Sequence, residues 1–220
     1  MKTGIITFPG SNCDKDVGFI LEKYFSHKIE YLWHKDHFEN NFDLIVLPGG
    51  FSYGDYLRCG ALARFAVAME SLNAHIKSGK LVLGICNGFQ ILVEANLLPG
   101  ALTLNKTLKH ICKTVTLVKG SEKNPLTNKI PIDSILEIPV SHSEGSYFAG
   151  EDTIKKLRDE NCILFQYALE NPNGSVANIA GVSSRNFKIA GLMPHPERAV
   201  EEFSGSRDGK IIFESFFERV

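Results

Sequence analysis

Short runs in the first half of the chain are apolar at every position. They are Ile5-Ile6, Leu44-Ile45-Val46-Leu47 and Leu81-Val82-Leu83. A strand with one wet face alternates polar and apolar residues, so an unbroken run has to be covered on both sides. Between the runs the spacing changes to that of helices. Val17, Ile20, Leu21 and Tyr24 fall on one helical face, as do Leu62, Phe65, Ala66 and Met69. Ile29–Trp33 adds another strand, and Gly88–Glu94 can open a helix behind the run at Leu81. Strands alternating with helices predict an α/β fold: an open, mostly parallel sheet with helices on both faces.

The second half follows a different rule. Val115–Val118, Ile135–Val140, Ile163–Tyr167, Val176–Val182 and Ile189–Met193 are strand-like with few helical stretches between them, so some antiparallel pairing is expected there. Ile212, Phe213, Phe216 and Phe217 give a final helix its apolar stripe, and polar Gly120–Pro131 has the composition of a surface loop. Neither repeats nor a linker divide the chain, which is expected to form a single domain over 1–220.

Composition narrows the function classes. Lys and Arg total 24 against 25 Asp and Glu, so no field points to nucleic acid. No apolar run is long enough for a membrane span, and Pro9-Gly10 stops the N-terminal run too early for a signal peptide. The five cysteines have no zinc-type spacing, which suits a reducing cytoplasm and a chain without a metal. Asn105-Lys-Thr and Asn173-Gly-Ser match the glycosylation pattern and are expected to be chance matches.

In an open α/β sheet, ligands bind beyond the carboxyl ends of the strands. Four suggestive segments follow predicted strands: Pro9–Asn12, Pro48-Gly49-Gly50, Cys86-Asn87-Gly88 and Pro194–Glu197. Parallel strands would bring all four to one edge. Gly84-Ile85-Cys86-Asn87-Gly88 has the glycine-x-nucleophile-x-glycine form of a strained strand-to-helix turn, which pushes its central side chain out over the sheet. The N-terminus of the following helix favours a thiolate there. Alone, Cys86 is as well explained as a buried structural cysteine. His195 supplies the missing base, and Glu197 can orient its ring, since residues i and i+2 share a side in the extended segment that Pro194 and Pro196 favour. The N–H groups of Asn87 and of Gly50 can form an oxyanion hole. Gln90, one helical turn after Cys86, can hydrogen-bond a substrate amide or carboxylate. The other four cysteines lack such a setting and are read as structural.

Together, Pro48-Gly49-Gly50, Gly84–Gln90 with Cys86, and His195-Pro196-Glu197 resemble the class I, or triad, glutamine amidotransferases. Each piece is weak, but the ordered set is specific. The resemblance implies a flavodoxin-like sheet. It also implies hydrolysis of the L-glutamine side-chain amide through a thioester on Cys86, with ammonia passed to a synthetase. Phe8–Asp14, Gly50–Ala61 and Met193–Glu201 are similar to a purine-biosynthetic branch of this family, and that similarity runs from end to end. It implies a large synthetase subunit that binds ATP and magnesium, a small bridging subunit, and no cofactor on this chain. The absence of a Gly-x-x-x-x-Gly-Lys-Ser/Thr phosphate loop agrees with that division. Tyr53–Arg58 is then a candidate contact with the synthetase. The resemblance also assigns glutamine binding to the loop His142-Ser143-Glu144-Gly145, where Ser143 replaces the family's usual glycine and leaves the backbone free to differ. A cysteine peptidase or γ-glutamyl hydrolase of the same fold would share the Cys86 turn, as would a redox-sensing or chaperone relative. The hydrolases would not need the Phe8–Asp14 or Gly50–Ala61 segments, and His195 with Glu197 argues against the sensor.

Overall fold

The apolar runs become the centre of one nine-stranded sheet. The protein is described here by a computed structural model covering residues 1–217. The strands in chain order are β1 (Lys2–Thr7), β2 (Lys28–Trp33), β3 (Leu44–Leu47), β4 (Leu81–Ile85), β5 (Ala101–Thr103), β6 (Ile111–Lys119), β7 (Leu136–His142), β8 (Ser146–Phe148), β9 (Ile163–Tyr167), β10 (Ile179–Ser183) and β11 (Ile189–Leu192). The helices are α1 (Asp14–Phe25), α2 (Val67–Lys77), α3 (Asn87–Glu94), α4 (Glu151–Asp159) and α5 (Asp208–Phe217).

The sheet order is β2-β1-β3-β4-β11-β10-β9-β6-β7, and β5 with β8 forms a separate antiparallel pair. From β2 to β11 all neighbours are parallel. From β11 onward they are antiparallel. Strand β11 is the seam, pairing Leu192 with Ile85 of β4 on one side and with Gly181 of β10 on the other. Every residue of β3 and β4 is buried, which requires cover on both faces. Strand β7 instead alternates, with Leu136, Ile138, Val140 and His142 inward. No helix among the described residues is long and apolar enough to cross a membrane.

Several expectations need correction. The helical spacing from Leu62 does not make a helix there. Ala63–Phe65 is a 3₁₀ turn, Phe65 is exposed, and α2 begins only at Val67. Gly120–Pro131 is not simply a surface loop: Leu126 and Ile130 enter the core, and buried Asn124 bonds Asn161 O and Ser183 Oγ. The polar composition there satisfies buried backbone rather than facing water. Val176–Asn178 is a 3₁₀ turn that precedes β10 instead of belonging to it. Helix α4 has only Ile154 and Leu157 buried, too few to mark an apolar face. Those two residues, a turn apart on one face, anchor it, and charge complements its ends: Glu151 and Asp152 in its first turn, Lys156 and Arg158 in its last.

Candidate active site

The four parallel strands β1, β3, β4 and β11 do deliver their following loops to one edge. Asn12, Gly50, Cys86 and His195, one from each loop, line a single cavity with Cys13, Phe51, Ser141 and Arg198. The cavity measures about 40 Å³. That is space on the scale of water molecules.

Cys86 has φ 50° and ψ −105°, a strained conformation that lies between β4 and α3. The crowding explains the flanking glycines. A Cβ on Gly88 would lie 1.9 Å from the Leu47 carbonyl oxygen, and one on Gly84 would meet the Gly88 backbone at 2.7 Å. The turn is pinned by Cys86 N–H donating to Leu192 O at 2.8 Å and Gln90 N–H donating to Cys86 O at 3.1 Å. In its thiol form Cys86 donates to Ser141 O at 3.6 Å.

His195 and Glu197 are both buried, with Nδ1 of the ring 2.6 Å from Oε1 of the carboxylate. The expected pairing is present, but the backbone route differs. Pro196–Arg198 is a 3₁₀ turn, closed by Arg198 N–H on His195 O, and not an extended segment. Proline at the first position of such a turn fixes a helix-compatible φ. With Nδ1 engaged by Glu197, Nε2 is the nitrogen left to exchange protons; it has no aligned hydrogen-bond partner at rest. Burial alone would lower the ring's pKa. The Glu197 carboxylate and then the sulfurs of Cys86 and Cys13 more than offset it, and the pKa stands well above the ordinary histidine value. The pair is therefore poised as an imidazolium beside sulfur.

Gly50 has φ 151° and packs against the backbone of Gly10 to Asn12, where a Cβ would approach within 2.7–2.9 Å. Its neighbours are tied down, with Cys13 N–H on Gly49 O and Phe51 N–H on Gly10 O. Asn87 N–H is the first of α3 and has no acceptor within the helix. The Asn87 side chain accepts from Ser52 N–H at 3.2 Å, which joins the loop after Gly50 to the Cys86 turn.

Gln90 is buried and already occupied. Its Oε1 accepts from Asn87 Nδ2 at 2.9 Å, and its Nε2 donates to Glu144 O at 2.5 Å. It thereby braces the loop after β7. His142 in that loop is buried with Nδ1 on Asn105 Oδ1 at 3.0 Å and Nε2 unpartnered. Burial, reinforced by the positive charge of His195, lowers its pKa to about 4. Ser143 is exposed, bonds His110 Nδ1 at 3.1 Å, and does not have a positive φ, so glycine is not required there.

Some contributors were invisible in the sequence. Asn105 and Asn173, the apparent glycosylation matches, are fully buried braces of this loop through His142 O, Gly145 N–H and Gly145 O. Cys13 was read as structural, yet its sulfur lies at the His195 ring. Cys13, His195 and Glu197 are the one His/Cys/Asp/Glu group among the described residues with ligand atoms close enough for a metal, within 4.8 Å of one another. The 2.6 Å bond between His195 and Glu197 already engages two of those ligands. The signal available for Cys13 was its place just after the Pro9–Asn12 segment.

The chain is similar to known proteins along nearly its whole length. Residues 1–211 match the CobB/CobQ-like glutamine amidotransferase domain. The chain is 52% identical over 214 residues to the phosphoribosylformylglycinamidine synthase subunit PurQ of Leptospira interrogans, covering 97% of this chain and 98% of that protein. To the corresponding subunit of Alkaliphilus metalliredigens it is 49% identical over 215 residues, covering 98% and 95%. A chain in the structure of PurLQS from Thermotoga maritima superposes with a TM-score of 0.89 at 40% identity, covering 99% of this chain and 98% of that one. Another glutamine amidotransferase from Thermotoga maritima shares the fold at a TM-score of 0.62 and 16% identity, covering 100% and 83%. From its first strand into its last helix, the chain belongs to the CobB/CobQ-like glutamine amidotransferase family.

Proposed function

We infer that the chain is the glutaminase subunit of a phosphoribosylformylglycinamidine synthase. It hydrolyses L-glutamine to glutamate and ammonia. The ammonia passes to a large synthetase subunit, which uses ATP to convert formylglycinamide ribonucleotide to formylglycinamidine ribonucleotide in purine biosynthesis; a small bridging subunit completes the complex. The observation that carries the reading is the convergence of Cys86 and His195 on one cavity, with Glu197 bonded to the His195 ring, in a chain that matches subunits of that name along nearly its whole length. ATP and magnesium belong to the synthetase subunit, with no cofactor on this chain, and the complex works in the cytoplasm.

The chemistry follows from the geometry. Cys86 sulfur attacks the side-chain carbonyl carbon of glutamine. The oxyanion is held by the N–H groups of Gly50 and Asn87. His195 gives its proton to the departing nitrogen, the C–N bond breaks and ammonia leaves a γ-glutamyl thioester. His195, now neutral, takes a proton from water, the hydroxide attacks the thioester, and glutamate departs as the sulfur is released. Glu197 keeps the ring oriented and balances its charge. The amino-acid end of the substrate is assigned to the loop of His142 and the main chain of Ser143, which Gln90 braces through Glu144 O. Tyr56 and Leu57, 74% and 85% exposed beside this site, support Tyr53–Arg58 as a contact with the synthetase.

The test combines the chain with its synthetase, ATP and formylglycinamide ribonucleotide. Cys86→Ala is expected to abolish amination from glutamine while amination from added ammonium persists. Glutamine hydrolysis that survives in Cys86→Ala would overturn the assignment. His195→Ala should lower kcat by about 10³-fold or more, and Glu197→Ala by less.

A further inference from the structure

Cys13 is the one thiol at this site that the reaction above does not use. Its backbone is fastened on two sides. Its N–H donates to Gly49 O at 3.2 Å, next to the proposed oxyanion glycine, and its carbonyl accepts from Val17 N–H at 3.1 Å in the first turn of α1. Its side chain is buried, lines the same cavity as Cys86, and lies within 4.8 Å of ligand atoms of His195 and Glu197. Arg198, the residue after Glu197, donates to the Cys13 sulfur at 3.2 Å and to Asp16 at 3.0 Å. Gly49 closes the other side: a Cβ there would stand 2.7 Å from His195 Cε1 and 3.1 Å from Cys13 Sγ. The imidazole thus has little freedom to swing, and the sulfur is one of the few groups in contact with it.

We propose that Cys13 is a positioning residue of the glutaminase reaction, its sulfur holding the His195 ring in line between Glu197 and Cys86. The proposal rests on the function inferred above. The sulfur's electron-rich surface lies beside a ring whose Nδ1 is already on Glu197, and by proximity and packing it favours the imidazolium needed to protonate the leaving nitrogen. The charged and titratable groups facing His195 are Glu197, Cys86, Cys13 and, with opposite effect on its neighbour, His142; Arg198 bears on the ring through Cys13. Removing the sulfur takes away one of the groups that raise the His195 pKa. The ring then loses its proton at lower pH, and activity that needs the imidazolium falls away earlier as pH rises.

The experiment measures glutamine hydrolysis across pH in the assembled complex for wild type, Cys13→Ala, Cys13→Val and Cys13→Ser. Alanine is expected to lower kcat by about tenfold with KM within about twofold, and to move the alkaline limb of the kcat profile to lower pH. Valine, which refills the space without an electron-rich surface, should behave like alanine and carries the test if alanine fails to fold. Serine, which restores an electron-rich atom, should recover most of kcat and the wild-type limb. The proposal is overturned if alanine and valine keep the wild-type kcat and limb, or if kcat falls while the limb stays in place. Absence of Cys86-dependent hydrolysis in the wild-type complex would instead remove the parent function, whatever the Cys13 variants do.

Discussion

The two halves of the sheet solve different problems. The parallel half, β2 to β11, is buried on both faces at its centre and sends its strand ends to the catalytic edge. The antiparallel half, β10 to β7, supplies a wall, through Ser141 near the end of alternating strand β7. Chemistry is concentrated where the rules change. Strand β11 arrives late in the chain, inserts beside β4 and sets His195 next to Cys86. A parallel sheet gives close approach of successive strand ends, and the antiparallel extension gives a side wall whose loop can be braced independently.

That contrast can be broken most sharply with glycines. Gly88→Ala places a methyl against the Leu47 backbone in the parallel half, and should cost about 3 kcal/mol or more. Gly150 sits at the N-terminus of α4 with φ −68°, and an added Cβ would meet nothing within 4 Å. Gly150→Ser should therefore change stability by only a few tenths of a kcal/mol, roughly in the stabilising direction. Equal losses in denaturant unfolding would dissolve the distinction. Next in size is the pair of site histidines. His142, at the end of an antiparallel strand, is held near pKa 4 by burial. The unfolded chain takes up that proton first, so stability is lost as pH falls from about 6.5 towards 4. His195, at the end of a parallel strand, is raised, so its contribution is present at low pH and is lost as pH rises through its folded pKa. Imidazole NMR titration should find His142 neutral and His195 charged at about pH 6.5; the reverse order would contradict both environments. The smallest effect is expected at Ser143. Since its backbone does not need glycine's freedom, Ser143→Gly should shift stability by no more than about 0.5 kcal/mol and KM for glutamine by less than about twofold.

Legibility followed burial. Strands β3 and β9 stand in the sequence as Leu44–Leu47 and Ile163–Tyr167, the same bounds as in the structure, because each is a run of largely buried residues. Cys86, His195 and Glu197 could be named because nucleophile, base and orienting carboxylate are chemically distinctive types at distinctive spacings. Helix α4 escaped notice because its buried face is only Ile154 and Leu157 among charged neighbours. Pro194 and Pro196 suggested extension, yet the second begins a turn that achieves the same contact. Asn105 and Asn173 were opaque for a deeper reason: a buried amide that satisfies distant backbone leaves no local pattern, since its partners at 142 and 145 are remote in sequence.

The water-sized cavity beside Cys86 also has a kinetic meaning. Phe51 and Ser141 stand in its lining, so a shift of either changes how readily an amino acid reaches the sulfur. Such shifts belong to the microsecond-to-millisecond regime of loop motion. A neighbouring protein that props this doorway ajar would raise throughput without touching a single reacting atom.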